Sequence, residues 1–150
     1  MANQITMTLV GADKIQKKLL ELTERAKDPG KALKLVANAM RRDVLDHFDE
    51  ERGSDGKWEK LSPATIAWKA AHGHSRPLQN TGNLRLSVMP ESGQDFAKVV
   101  AGGVKAPYAI YQNYGGDVPG RPPAREFMWL SAKAAKGIFM LMRGWIMGGL

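Results

Sequence analysis

This chain of 150 residues predicts an α+β fold: a small, mostly antiparallel sheet packed by two N-terminal helices and a C-terminal helix, with long extended loops. Three observations carry that expectation. The first third of the chain holds two stretches with apolar residues at helical spacing. Two short alternating stretches, 85–91 and 96–102, are joined through Glu91-Ser92-Gly93-Gln94-Asp95, as in a hairpin. A serine-capped, strongly apolar helical segment follows near the end.

In chain order, Asn3 to Val10 alternates, with Ile5, Met7 and Leu9 on one face and Thr6 and Thr8 on the other, which predicts a half-buried strand. From Asp13 the period changes, and Ile15, Leu19, Leu22 and Ala26 fall on one helical stripe until Asp28-Pro29-Gly30 ends it. A longer helix is expected from Lys31 to Glu50 or Glu51, with Leu33, Val36, Ala37, Met40, Val44 and Phe48 inward and Lys34, Asn38, Arg41 and Arg42 outward. Its last turns hold Asp46, Asp49, Glu50 and Glu51. Acids there oppose the helix macrodipole, which predicts either a solvated end partly paired with Arg52 or an acidic patch that meets a basic surface on a neighbour.

The span from Arg52 to Asn80 is rich in glycine, serine and charge, so a long loop ordered mainly by outside contact is expected. Within it, Ser62 caps and Pro63 starts a short helix to Ala71. Leu86 and Val88 alternate on the first expected strand of the hairpin. Phe96, with Val99 or Val100, is expected to face the core on the second. Ser131 caps a last helix from Ala132 to about Trp145, whose second half is apolar nearly all round and therefore either well buried or covered by a neighbour.

Composition sets the class. Length is that of one domain, and 43% hydrophobic with 25% charged residues is ordinary for a globular chain. No run approaches the ~20 apolar residues of a membrane span, and the opening MANQITMTLVGADK lacks the basic and apolar regions of a secretory signal. Cysteine is absent, which removes disulfide and thiolate chemistry. A net charge of +7 favours polyanionic partners: nucleic acid, an acidic protein or a membrane surface.

The most distinctive stretch is Tyr108 to Leu130. It gathers three tyrosines, Arg121, Arg125, Phe127 and Trp129 around Gly115-Gly116 and Pro119 to Pro123. Proline fixes φ and lacks a donor while glycine frees the backbone, so the middle cannot be regular structure. A basic, proline-stiffened loop between aromatic anchors suits a contact surface better than a core.

No catalytic set stands out. His72 and His74 are spaced for a metal, and Asp43, Asp46, Asp49 and Glu50 are acidic enough for a divalent cation, but neither group has a complementary ligand set. No G-x-S-x-G and no phosphate-binding glycine loop is present, and His47 beside Phe48 reads as a structural histidine. The expectation is a non-enzymatic protein without metal or cofactor.

Three motifs, in order, cover about half the chain. They are Gly56-Lys57-Trp58-Glu59-Lys60-Leu61-Ser62-Pro63-Ala64-Thr65, then Leu78-Gln79-Asn80-Thr81-Gly82-Asn83-Leu84-Arg85-Leu86-Ser87, then Tyr108-Ala109-Ile110-Tyr111-Gln112-Asn113-Tyr114-Gly115 with Pro123-Ala124-Arg125-Glu126-Phe127. Together they resemble the phage virion morphogenesis family, the tail-completion and head–tail joining proteins of tailed phages, especially the Mu-like group. Tyr111 stands where that family often has His, and Glu126 where it often has Pro.

The resemblance implies a structural virion protein assembled as a ring at the neck, in contact with itself and with other neck and tail proteins, and with no membrane partner. Contact with genome DNA in the channel is a further expectation. The interface residues expected on this reading are Trp58, Leu78, Thr81, Tyr108, Tyr111, Tyr114, Arg121, Arg125, Phe127 and Trp129. Lys34, Arg41, Arg42, Asp49 and Glu50 are expected to face DNA or the next subunit. Two rivals remain open: a basic DNA-binding protein that uses Lys34, Arg41, Arg42 and the Arg121–Arg125 loop on phosphates, and a metal-dependent nuclease.

Overall fold

Helix α2, Gly30–Glu50, is the element on which the others are laid. The computed structural model describes residues 12–116 and 123–148, so the strand expected at 3–10 and the side chain of Arg121 lie outside the described residues. The fold is α+β. Beside α2 the helices are α1 (Ala12–Lys27), α3 (Pro63–Ala71), α4 (Asn83–Leu86), α5 (Ala109–Tyr114) and α6 (Ala132–Met147). Two antiparallel hairpins complete it, β1 (Arg52–Gly53) with β2 (Gly56–Lys57) and β3 (Met89–Ser92) with β4 (Ala97–Val100).

The apolar period of α2 decides the packing. Val36, Ala37, Val44 and Phe48 are buried along one side, where α2 meets β3, β4, β1 and α6. The core gathers at its C-terminal half: Val44, Phe48, Trp58, Leu84, Val88, Ala106, Ala109 and Phe127. The Phe48 ring is met edge-on by Trp58 at 5.9 Å and at a tilt of 46° by Phe127 at 5.1 Å between centroids. Each such aromatic contact adds ~0.5–1.5 kcal/mol to area burial. The helix ends at Glu51, whose backbone turns left-handed (φ 53°) and whose N–H donates to the His47 carbonyl. That turn sends the chain straight into β1.

Helix α3 starts where Ser62 and Pro63 predict, with the Ser62 hydroxyl accepting from the Thr65 amide. Helix α6 is capped in the same way by Ser131, whose Oγ accepts from Ala134 N–H. In the described chain α6 buries none of its residues, and Phe139, Met140 and Met147 are exposed. Of the two alternatives expected for this helix, the well-buried one does not hold among the described residues, which leave an apolar face of α6 uncovered. The stripe on α1 is similar: α1 packs on α6, yet Ile15 and Leu19 stay exposed.

Among the described residues the antiparallel strands form two separate two-stranded hairpins. Some element bounds need correction. Residues 85–86 belong to α4, not to a strand, because Gly82 takes a left-handed φ of 77° and opens a helical turn. Leu84 is consequently buried, whereas Leu86 is 71% exposed. The strand begins only at Met89. On β4, Val99 packs on the core, but Phe96 precedes the strand and is exposed. Its ring lies against Gly93, where a Cβ would meet it at 2.6 Å.

The segment 52–80 is tied to its own chain. Trp58 N–H donates to the Glu51 carbonyl at 2.9 Å, and Gln79 Nε2 donates to the Phe48 carbonyl at 3.1 Å. The acidic end of α2 is partly answered within the chain, at Asp49 and Glu50. Arg85 grips Asp49 with two bonds of 2.9 Å, Arg76 approaches Asp49 at 3.5 Å, and Glu50 faces Arg52 at 3.6 Å.

Candidate docking cleft

Residues 123–130 have no regular structure, yet they are held firmly from both sides. Asn113, buried on α5, accepts the amides of Phe127 and Met128 on Oδ1, each at 2.9 Å. Arg125 N–H donates to the Gln112 carbonyl at 2.7 Å. Trp58 Nε1 donates to the Glu126 carbonyl at 2.8 Å, and the Glu126 carboxylate accepts from Ser54 at the tip of the first hairpin. An irregular buried strand must find such partners, since an orphaned amide or carbonyl costs ~1–3 kcal/mol. Sequence reasoning missed Asn113, whose role is visible only once α5 is set beside the strap.

This strap joins the three motifs around one cleft of about 560 Å³. The first motif contributes Leu61 and Thr65. The second contributes Leu78, Asn80, Thr81, Asn83 and Leu84, and the third Tyr108, Gln112 and Arg125. Trp68 and Lys69 of α3 complete the lining. Leu78 holds a left-handed φ of 57°, a conformation that costs a non-glycine residue ~1–2 kcal/mol. It packs on the core while lining the cleft.

Two cations are recessed in that wall. Lys69 is 7% exposed and Arg125 5%. Lys69 Nζ donates to the Arg76 carbonyl at 2.9 Å, and an Arg125 guanidinium nitrogen donates to the Glu59 carbonyl at 3.1 Å. Arg125 Nε is buried and, among the described residues, has no hydrogen-bond partner. Burial, and then the neighbouring Arg125 charge, pulls the Lys69 pKa below its ordinary value. Burial lowers that of Arg125 as well, against the opposing pull of Glu59. Lys69 gives no signal in the sequence, because a lysine on a short helix reads as solvated.

The residues expected at an interface divide into two sets. Leu78, Thr81, Tyr108 and Arg125 meet at the cleft, and Tyr108, Tyr111 and Tyr114 are exposed along α5 and its start. Trp58 and Phe127 instead lie in the core of their own chain, and Trp129 is half-buried against His47. Among the charges, Lys34 and Arg42 are exposed, whereas Arg41 Nε donates to the Val88 carbonyl at 2.8 Å and so braces β3. Arg41 and Arg125 are therefore not free surface cations.

Among the described residues no group of three or more His, Asp or Glu is placed to hold a metal ion. His72 stacks on Trp68 with its Nδ1 at the Trp68 carbonyl. No described helix is long and apolar enough to cross a membrane.

No curated protein and no solved structure matches the chain. The model of the phage virion morphogenesis family, in contrast, matches residues 10–146, a span that takes in all three motifs, the strap and the cleft they enclose, and so this chain belongs to that family, with a structural or assembly role in the phage particle.

Proposed function

We propose that the protein oligomerises into a ring at the phage neck and there completes the tail or joins it to the head. The observation that supports this most is the convergence of the three motifs on one cleft, with Tyr108 in its lining and Tyr111 and Tyr114 exposed farther along α5. Trp58, Phe127 and the strap serve as the rigid backing of that face. Exposed aromatics on a rigid support are what docking surfaces use, because they bring large contact area at little entropic cost. The apolar face of α6 that the described residues leave uncovered is a second surface of the kind that a neighbouring subunit covers.

On this reading the protein acts through protein contacts in the virion, after assembly in the host cytoplasm. The basic charge leaves Lys34 and Arg42 available for genome DNA in a channel or for acids on the next subunit. The deciding experiment is electron microscopy of particles produced without this protein. Heads and tails that remain separate, or tails left unfinished, are expected. Particles that join and mature normally would sink the proposal. A monomeric DNA-binding protein, the other reading, would instead show steep salt-dependent affinity for duplex DNA in purified form.

A further inference from the structure

Lys69 and Arg125 pose an electrostatic problem that the described residues solve only in part. Both line the same cleft and both are more than nine-tenths buried. Among the described residues no carboxylate lies within 4.0 Å of either. Their ion-pair contrast is Arg85, which holds Asp49 with two bonds. Among the described residues the two hydrogen-bond only to backbone carbonyls, Glu59 draws on Arg125 from beyond that distance, and Arg125 Nε has no hydrogen-bond partner. Buried cations are ordinarily paired, since desolvation otherwise works against the charged form.

The rest of the lining narrows the ligand. Leu61, Leu78, Leu84 and Trp68 make apolar walls, while Asn80 and Thr81 offer amide and hydroxyl groups at exposed positions. A volume of about 560 Å³ falls among ordinary ligand sites. A duplex phosphate backbone is convex and hydrated, poorly matched to recessed cations between apolar walls. A carboxylate on a flexible side chain can reach them, with its peptide running along the rim. A protein of net charge +7 also draws acidic partners.

We infer that the cleft is a receptor for an extended acidic segment of a partner protein, one carboxylate entering beside Lys69 and Arg125 and flanking apolar side chains resting on Leu61, Leu78 and Tyr108. This rests on reading the cleft as a docking surface and is independent of the particle position that the protein fills. In the low-dielectric cleft the carboxylate makes charge-assisted hydrogen bonds that an amide of the same shape cannot match.

The test uses the full chain and two capped tripeptides, acetyl-Leu-Glu-Leu-amide and acetyl-Leu-Gln-Leu-amide, titrated by backbone-amide NMR. The Glu peptide is expected to bind about tenfold tighter or more, the ratio that one charge-assisted bond supplies, with shifts centred on residues 65–69, 78–84 and 125. Lys69→Met should bring the two peptides close to parity, and Lys69→Arg should keep the preference. If Lys69→Met does not fold, the Glu-to-Gln comparison in the unaltered protein still decides. Equal affinity for the two peptides there, or no binding of either, overturns the inference. Displacement of the Glu peptide by a short DNA duplex overturns it too, in favour of a phosphate ligand. Particle assembly is not read in this experiment, so the cleft's ligand and the neck role can each fail alone.

Discussion

The imidazole of His47 lies flat on the indole of Trp129, with ring centroids 4.1 Å apart and planes 8° from parallel. On the indole, Arg52 places its guanidinium carbon 5.5 Å from the ring centroid. The His47 Nδ1 lies 2.9 Å from the Phe127 carbonyl. A carbonyl only accepts, so Nδ1 carries the proton. One side chain of α2 thereby fixes both the backbone and an aromatic ring of the strap that borders the cleft.

The first prediction follows from that geometry. His47→Ala removes a stacked pair and orphans a buried carbonyl, and should cost about 2–4 kcal/mol. Urea unfolding at an unchanged m-value measures it. His47→Phe keeps a ring but loses the donor, so its loss should be smaller. Equal losses for both variants would mean that the stacking contributes nothing.

Asp43 supports the second prediction. Its carboxylate accepts from Ser131 N–H at 2.8 Å and from Ser131 Oγ at 2.5 Å, while the same Oγ accepts from Ala134 N–H and caps α6. Asp43→Ala should therefore cost about 1–3 kcal/mol, the range for a cap and its charged hydrogen bonds. It should also speed amide exchange in the first turn of α6. Unchanged exchange there, with stability lost, would place the effect elsewhere.

Which parts of the fold are legible in the sequence follows from which forces are local. Helices α2, α3 and α6 are readable because apolar period and serine caps act within a few residues. The turn at Asn83 to Leu86 is hidden, because Leu86 and Val88 alternate like a strand while the deciding feature is the left-handed Gly82. Phe96 misleads for a related reason: its aromatic ring suggests core, but it finds Gly93 across the hairpin turn. At the cleft, Leu78, Thr81, Tyr108 and Arg125 are visible as motif residues. Lys69 is not, and Asn113, though it stands in the third motif, does not show its hold on the strap, since both roles arise from elements distant in the chain. Trp58 illustrates the opposite limit, since composition cannot tell an aromatic anchor for a partner from one for the chain's own core.

That distinction gives a third prediction. Trp58 and Tyr114 both come from the quoted motifs, but Trp58 is 9% exposed and Tyr114 is 74% exposed. Trp58→Ala should destabilise the isolated protein by about 3–5 kcal/mol, as core aromatics do. Tyr114→Ala should change stability by no more than ~0.5 kcal/mol while lowering the yield of joined particles in a complementation assay. Thermal unfolding and particle counts together separate the two. A Tyr114 variant with full particle yield would remove this tyrosine from the docking face.

The last prediction concerns pH. Burial, and secondarily Arg125, depresses the Lys69 pKa below 10.5. Between the depressed folded value and the ordinary unfolded value, the unfolded chain binds more protons than the folded one. Stability contributed by this group therefore rises with pH across that window, and the penalty is fully present below it. Lys69→Met removes the titration. The stability difference between Lys69→Met and the unaltered protein should thus be largest near neutral pH and shrink as pH approaches 10.5. Denaturant unfolding at stepped alkaline pH measures that difference. A difference that stays constant with pH would show that the amine is not held in a desolvated, cationic setting. A Glu peptide bound in the cleft should reverse the trend, because a carboxylate neighbour raises the amine pKa and makes stability fall as pH rises through it.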